Sequence, residues 1–420
     1  MNADGADNSP ETYWRRNMLL LILDSMFFMT AISLSDVSIL SVFIVKATGS
    51  TFLAGLLQMV RVTGFFFPQL LSINIGSAPY KKRVFIKWTA IGRCWLSIAV
   101  LGAFFVEEIA LVVLTFFIAF SLFPFFDGFT VVPWLEFVVK SIPQRQRGSF
   151  FGLSQGLGAI GMIAGGYLVA QILNESAFVF PQNYGLLVLI QLLLMMVGLI
   201  FLIFLQETAD KLIETSNSLL DRLKSIPKII QNNAIIQKLI LIQVLYSCYS
   251  ISTPFYSLFA ITHLDAPDEL VGYFLMYQMI GRLVASYPWA QLGNTGQNKW
   301  ILQLSGIMIL GSLLLALVLG TFFNDLVLTT PLLFSMFFLY GAGVSGVFLG
   351  FNTYVMELAD HNTRPILLGT MNALNIVTSI LPVLGGIIIE SLPYELLFLT
   401  SIIPITCSLV LTHKLPQRLG

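Results

Sequence analysis

Apolar runs of roughly 20 residues recur along this chain between short polar stretches, and that is the length an α-helix needs to cross a membrane. Such runs lie near 18–45, 52–76, 83–105, 109–139, 148–172 and 183–206. A polar segment, 207–234, follows, and six more runs lie near 236–263, 269–293, 300–323, 328–357, 364–390 and 395–413. The pattern predicts an all-α polytopic membrane protein of twelve spans, organised as a bundle over 1–206, a linker over 207–234 and a second bundle over 235–420. The first run is too long for a signal-peptide core of roughly 7–15 residues, so it is expected to stay in the membrane. In the linker, Leu219, Leu220, Leu223 and Ile226 fall at helical spacing among charges and predict an amphipathic helix.

Composition agrees with this solvent. Hydrophobic residues make up 56% of the chain and charged residues 10%, against about 25% charged in a soluble domain. The net charge is zero, which gives no bulk attraction to nucleic acid. Cys94, Cys248 and Cys407 lie far apart in apolar runs with no CxxC, so neither a disulfide nor a metal site is expected. Lys and Arg collect on one side: Arg15, Arg16, Lys81, Lys82, Arg83, Lys140, Arg145 and Arg147 in the first half, with Lys299, Arg364 and Lys414 in the second. The opposite side has Lys46 among Glu107, Glu108, Asp265, Asp268 and Glu390. This asymmetry predicts a cell-membrane protein with both termini and the linker in the cytoplasm.

Two cytoplasmic loops resemble each other. Arg147 and Gly152 in the first correspond to Arg364 and Gly369 in the second at an offset of 217, and Gly55, Gly64 and Gly76 correspond to Gly272, Gly281 and Gly293 at the same offset. Copies separated by six spans keep one membrane orientation, which makes them parallel repeats about an axis along the membrane normal. Such halves enclose a cavity, and rocking one against the other opens it to each side in turn. Arg147 and Arg364 then sit where the halves lock, able to bind helix-end carbonyls or the nearby Glu136 and Glu357; the alternative is that they only obey the positive-inside rule.

Twelve spans as two parallel sixes, with a long middle loop and basic short loops, resemble the major facilitator superfamily over essentially the whole chain. The family's signature between spans two and three is represented by "GSAPYKKR", which keeps Gly76, Lys81, Lys82 and Arg83 but has Tyr80 in place of the acid. The glycine signature of its antiporters is represented in span five by "GMIAGG", with Gly161, Gly165 and Gly166 but Met162 for the proline. The resemblance implies alternating access, spans one and four lining the cavity and span two flanking it, with a lean toward export.

Ionisable groups within spans are costly and become candidates for function. Counting about 1.5 Å per residue puts Asp36 and Arg61 some 13 Å from the outer boundary and Asp127 at a similar level. One reading of Asp36, Arg61 and Asp127 is proton coupling; the other is an ion pair that ties helices together. Asp24 is expected to be solvated near the inner interface, and Arg93 to snorkel or to pair near the cytoplasmic side. Arg282 stands apart and suits either an anionic group on a substrate or helix carbonyls. Gln58, Gln155, Gln243, Tyr246, Gln278, Asn352, Asn372 and Asn375 are the other cavity candidates, with interhelical hydrogen bonding as the alternative for each. "GLSQG" at 152–156 fits a nucleophile elbow but opens a membrane helix rather than following a strand, so no catalytic role is expected. No Walker or HExxH sequence occurs. The leading expectation is therefore a cofactor-free, non-enzymatic monomer that exports a small amphipathic or lipophilic molecule against protons. Uptake of a metabolite by symport or facilitation, lipid transport and a scaffold role remain as alternatives.

Overall fold

The computed structural model describes residues 10–71, 80–175, 178–207, 234–322, 326–358 and 364–416. Gly76, almost all of the linker with its expected helix, and the side chains of Glu357, Arg364 and Asn372 with the surroundings of Gly369 lie outside the described residues.

All regular structure among the described residues is helical. Among the described residues, eleven segments are long and apolar enough to cross a membrane. The remaining expected span is a 25-residue helix, Leu270–Asn294, whose Gln278 and Arg282 dilute its apolar character.

Several spans are broken. Span one comprises α1 (Pro10–Ser33) and α2 (Val37–Thr48). Asp36 caps α2, its carboxylate accepting from the Ser38 N–H at 3.0 Å, as short acidic side chains do at helix starts. α2 ends at Gly49, whose φ of 72° only glycine adopts without strain. Span two is α3 (Thr51–Leu71), span three α4 (Lys81–Cys94) and α5 (Leu96–Phe105), and span four α6 (Ile109–Gly128) and α7 (Val131–Ser141). Spans five and six are α8 (Gln144–Glu175) and α9 (Gln182–Ile203). Span seven is α10 (Ala234–Ser247), two 3₁₀ turns over 248–255, and α11 (Tyr256–His263). There follow α12 (Leu270–Asn294), α13 (Asn298–Phe322), α14 (Leu326–Leu358), span eleven as α15 (Arg364–Thr378) and α16 (Leu381–Ser391), and α17 (Tyr394–His413).

The repeat is visible in the packing. A Cβ on Gly64 of α3 would meet the Ser121 carbonyl of α6 at 3.2 Å, and one on Gly281 of α12 would strike the Phe338 carbonyl of α14. Both glycines and both carbonyls stand 217 positions apart. Gly55 likewise faces Pro382 and Val383 of α16, while Gly272 faces Gly166 and Ala170 of α8. These pairs are the same crossing made once in each copy, with small residues letting backbones touch.

The last two crossings join the first six spans to the last six, and both lie toward the face opposite the termini. There Lys46 pairs with Asp268, the Ser50 hydroxyl donates to Glu390 at 2.7 Å, and Thr51 donates to the Gly386 carbonyl at 2.6 Å. On the face carrying the termini α8 and α12 part. Gly148, Gly152 and Gln155 share the α8 face that holds Gly166, since they are spaced by whole helical turns. All three are exposed, and the two glycines meet nothing within 4 Å. On α12, Tyr287 is 70% exposed. Among the described residues, the two sets of spans are closed together on one face, and the α8–α12 crossing is open on the other.

The Lys46–Asp268 side chains are 33% and 34% exposed. Lys46→Ala is therefore expected to lower unfolding stability by no more than about 1 kcal/mol. Thermal unfolding of the purified protein at low and high salt checks this, with the difference shrinking as salt rises.

Candidate functional site

The two interrupted spans bring polar groups to the centre of the molecule. In span one the break presents Asp36 and Ser38; in span seven the 3₁₀ turns present Tyr249, Ser250 and Thr253. Thr253 stands 217 positions after Asp36, so both copies of the repeat are interrupted at the same place. Interrupted membrane helices leave backbone and polar groups free that an unbroken helix would use up, and such backbone is tolerated at membrane depth where it lines a cavity.

These groups line a cavity of roughly 440 Å³ between the first and last six spans. Gln58 of α3, Gln243 and Tyr246 of α10, Gln278 and Arg282 of α12, Asn352 of α14 and Asn375 of α15 all reach it, as the sequence pattern anticipates. Gln155 does not: it lies on the exposed stretch of α8 toward the open face. Phe66, Phe348, Phe351, Val344 and Met371 supply the apolar wall. Tyr249, Tyr340 and Thr253 are additions that the sequence pattern does not single out; for Thr253 the repeat offset from Asp36 is the available signal.

Many of these polar groups are not used up by the fold. Gln243 donates through Nε2 to the Met371 carbonyl at 3.2 Å, which fixes its Oε1 as an acceptor without a partner. The Oε1 atoms of Gln58 and Gln278 and Nε of Arg282 are also buried without partners. Arg282 makes no ion pair among the described residues, and its charge is felt by Tyr249 and Tyr340.

The expected band of Asp36, Arg61 and Asp127 divides into two places. Arg61 is in the wall behind the cavity, its guanidinium 5.3 Å from the Phe120 ring centre. It feels the charge of Asp36 without a direct ion pair. Asp127 belongs elsewhere, with Arg93 and Asp24 as the charges that reach it. Asp24 is not the solvated interface residue expected, and of the two alternatives for Arg93 it is pairing that the structure shows. They form a buried ion pair at 3.3 Å, the arginine only 2% exposed and also donating to the Met195 carbonyl of α9. Counting residues gives height along a helix but not the direction a side chain points, and that direction separates Asp127 from Asp36.

At the face carrying the termini, Lys81 pairs with Glu136 at 3.1 Å, joining spans three and four. Arg147, in the first turn of span five, donates to the carbonyls of Ile142 (3.1 Å) and Val139 (2.6 Å), closing the end of span four. Of the two partners anticipated for Arg147, the carbonyls are the ones it holds. Glu207, not anticipated, accepts from the Lys81 and Lys82 N–H groups at 2.9 Å and pairs with Lys140. That anchors the end of span six to the positive N-terminus of α4.

A polytopic helical membrane protein with duplicated halves, a central polar-lined cavity and one closed face has the build of a solute transporter. The sequence matches the model of the Major Facilitator Superfamily over residues 26–381, and the chain belongs to that family. Among solved structures, it is similar to the D-xylose-proton symporter, with TM-score 0.74, 12% identity, and 97% of this chain and 99% of that one covered. A mutant of the nucleoside transporter NupG gives 0.71 at 15% identity, with 94% and 99% covered. A bacterial homologue of the iron transporter ferroportin in an inward-facing state gives 0.67 at 12%, with 95% and 98% covered. Comparison with curated proteins gives no match. The chain is thus a multi-pass membrane transporter rather than an enzyme.

Proposed function

We propose that this transporter carries one small amphipathic solute per cycle, by rocking 1–206 against 235–420 with 207–234 as the tether, and that it exports this solute in exchange for protons. The observation that carries the reading is the central cavity itself. It has apolar walls, unspent polar groups, and closure on one face only. Its size suits a small organic molecule. Protons enter the reading through Asp36, a carboxylate in the cavity wall, with Asp127 in its own buried cluster as the second candidate. Export rests on the glycine-rich α8, whose exposed Gly148 and Gly152 lie on the open side. Lys81, Glu136 and Arg147 would brace the face that closes in the other half of the cycle.

In proteoliposomes loaded with a candidate solute, an imposed proton gradient is expected to drive movement that a protonophore abolishes. Asp36→Asn should lose at least about tenfold in gradient-driven rate while keeping solute exchange. Equal driven rates for wild type, Asp36→Asn and Asp127→Asn would remove proton coupling by these groups. Solute accumulating along the proton gradient instead of against it would reverse the direction.

A further inference from the structure

The cavity's unspent hydrogen-bonding groups specify more about the solute than its size does. On the last six spans Arg282 offers a cation with no carboxylate partner among the described residues, and its Nε is buried without an acceptor. Around it, Gln58, Gln243 and Gln278 each hold a buried Oε1 with no donor. Gln243 cannot turn its amide to relieve this, because its Nε2 is committed to the Met371 carbonyl. Asp36, in the break of span one, spends one carboxylate oxygen on the Ser38 N–H and makes no ion pair among the described residues.

The charge balance is uneven. Asp36 is the carboxylate lining the cavity, Arg282 lines it too, and Arg61 lies behind the wall within reach of Asp36. Counting Arg61 behind the wall, two cations stand against one carboxylate among the described residues. Since Arg61 is the cation within reach of Asp36, Arg282 is left without a counter-charge, which is costly until something neutralises it. Buried acceptors without donors add to that cost.

We propose that the solute is a small organic anion, carrying a carboxylate or phosphate that binds Arg282 and N–H or O–H groups that bind the glutamine carbonyls and Asp36. This rests on the transport reading above and names the class of solute for the same cavity. Arg282 neutralises the anionic group through its planar fork, which suits carboxylate and phosphate alike. The donors on the solute then satisfy Gln58, Gln243 and Gln278. Asp36 lies on the span-one side, where it repels the anionic end and accepts from a hydroxyl or amine. That sets which way round the solute enters. A neutral solute would leave Arg282 unpaired, and an anion without donors would leave the three carbonyls bare.

Binding to the purified full-length chain in detergent tests this with two matched series. One is 4-hydroxyphenylacetate, phenylacetate, tyrosol and tyramine; the other is gluconate, glucose 6-phosphate, glucose and glucosamine. Thermal shift and titration are expected to show binding by 4-hydroxyphenylacetate, and by gluconate or glucose 6-phosphate, the better of these two telling carboxylate from phosphate. Phenylacetate, the neutral members and the amines should bind more weakly. Arg282→Gln should weaken anion binding by about 10- to 100-fold, whereas Arg282→Lys keeps the charge and should lose less. Gln243→Leu should weaken the hydroxylated anions and leave phenylacetate unchanged. Binding by glucose or tyramine equal to that of the anions would overturn the proposal. So would anion affinity unchanged in a folded Arg282→Gln, or no anion in either series binding. Anion binding without movement of the same anions in proteoliposomes would leave this inference standing and remove the transport reading instead.

Discussion

Arg93→Leu is expected to destabilise the protein by about 3–5 kcal/mol, the usual consequence of removing one partner from a buried ion pair. Arg93 is enclosed among α1, α4 and α9, where it pairs with Asp24 and donates to the Met195 carbonyl. The leucine would leave Asp24, 8% exposed, as a buried carboxylate with no counter-charge, and Asp127 nearby without the cation that faces it. Gly198 of α9 packs directly against the carboxylate, so close that a Cβ there would lie 2.7 Å from the Asp24 Oδ1. The double variant Arg93→Leu with Asp24→Leu removes both charges and should recover most of the loss, since apolar pairs of similar volume replace buried ion pairs at little cost. Fluorescence-detected size exclusion after heating, with denaturant titration for the free energy, reads both. An Arg93→Leu protein within about 1 kcal/mol of wild type would show that the cluster holds nothing together.

That cluster marks where the sequence stops being legible. Spans are readable because nothing but a long apolar run can be solvated by lipid. The one span that falls short of the apolar threshold does so because Gln278 and Arg282 serve the cavity. The duplication is readable because Gly64 and Gly281 each face a carbonyl, a constraint strict enough to keep glycine in both copies. The interruption of span one is not signalled as plainly, although Ser35 and Asp36 are helix-starting residues. No proline or glycine stands there to mark a break, and the run on either side is unbroken in hydropathy. Seven of the nine proposed solute contacts reach the cavity, since polar side chains in a span have few other places to go. Tyr249 and Tyr340 are hidden by being aromatic in a chain with 13% aromatic residues. Partnerships such as Asp24 with Arg93 depend on how helices are rotated about their axes, which no single span encodes.

Gly272→Leu is expected to hold the two sets of spans apart on the face where they now meet, and to stop transport while leaving the fold intact. A Cβ at Gly272 would run into the α8 backbone, striking the Ala170 N–H and the Gly166 carbonyl and lying 2.7 Å from the Ala170 Cα. Backbone cannot rotate aside as a side chain can, so the overlap is relieved only by separating α8 from α12. Overpacking of this kind costs roughly 1–3 kcal/mol, which would shift the balance between closed and open arrangements by about 5- to 150-fold. Gly55→Leu should act alike, since the equivalent crossing in the other copy puts Pro382 and Val383 of α16 against it. Gly281→Leu is the contrast: it presses on Phe338 inside the last six spans, so it should lower thermal stability without moving one set of spans against the other. With Cys94, Cys248 and Cys407 changed to serine, spin labels on Glu107→Cys and His263→Cys, both exposed on the closed face, would report the separation. A longer distance in Gly272→Leu and Gly55→Leu, but not in Gly281→Leu, identifies the small-residue crossings as the contacts that set which face is shut. An unchanged distance in all three would mean that α8 and α12 can repack around the added side chain, and that closure of this face rests on Lys46, Asp268 and Glu390 instead.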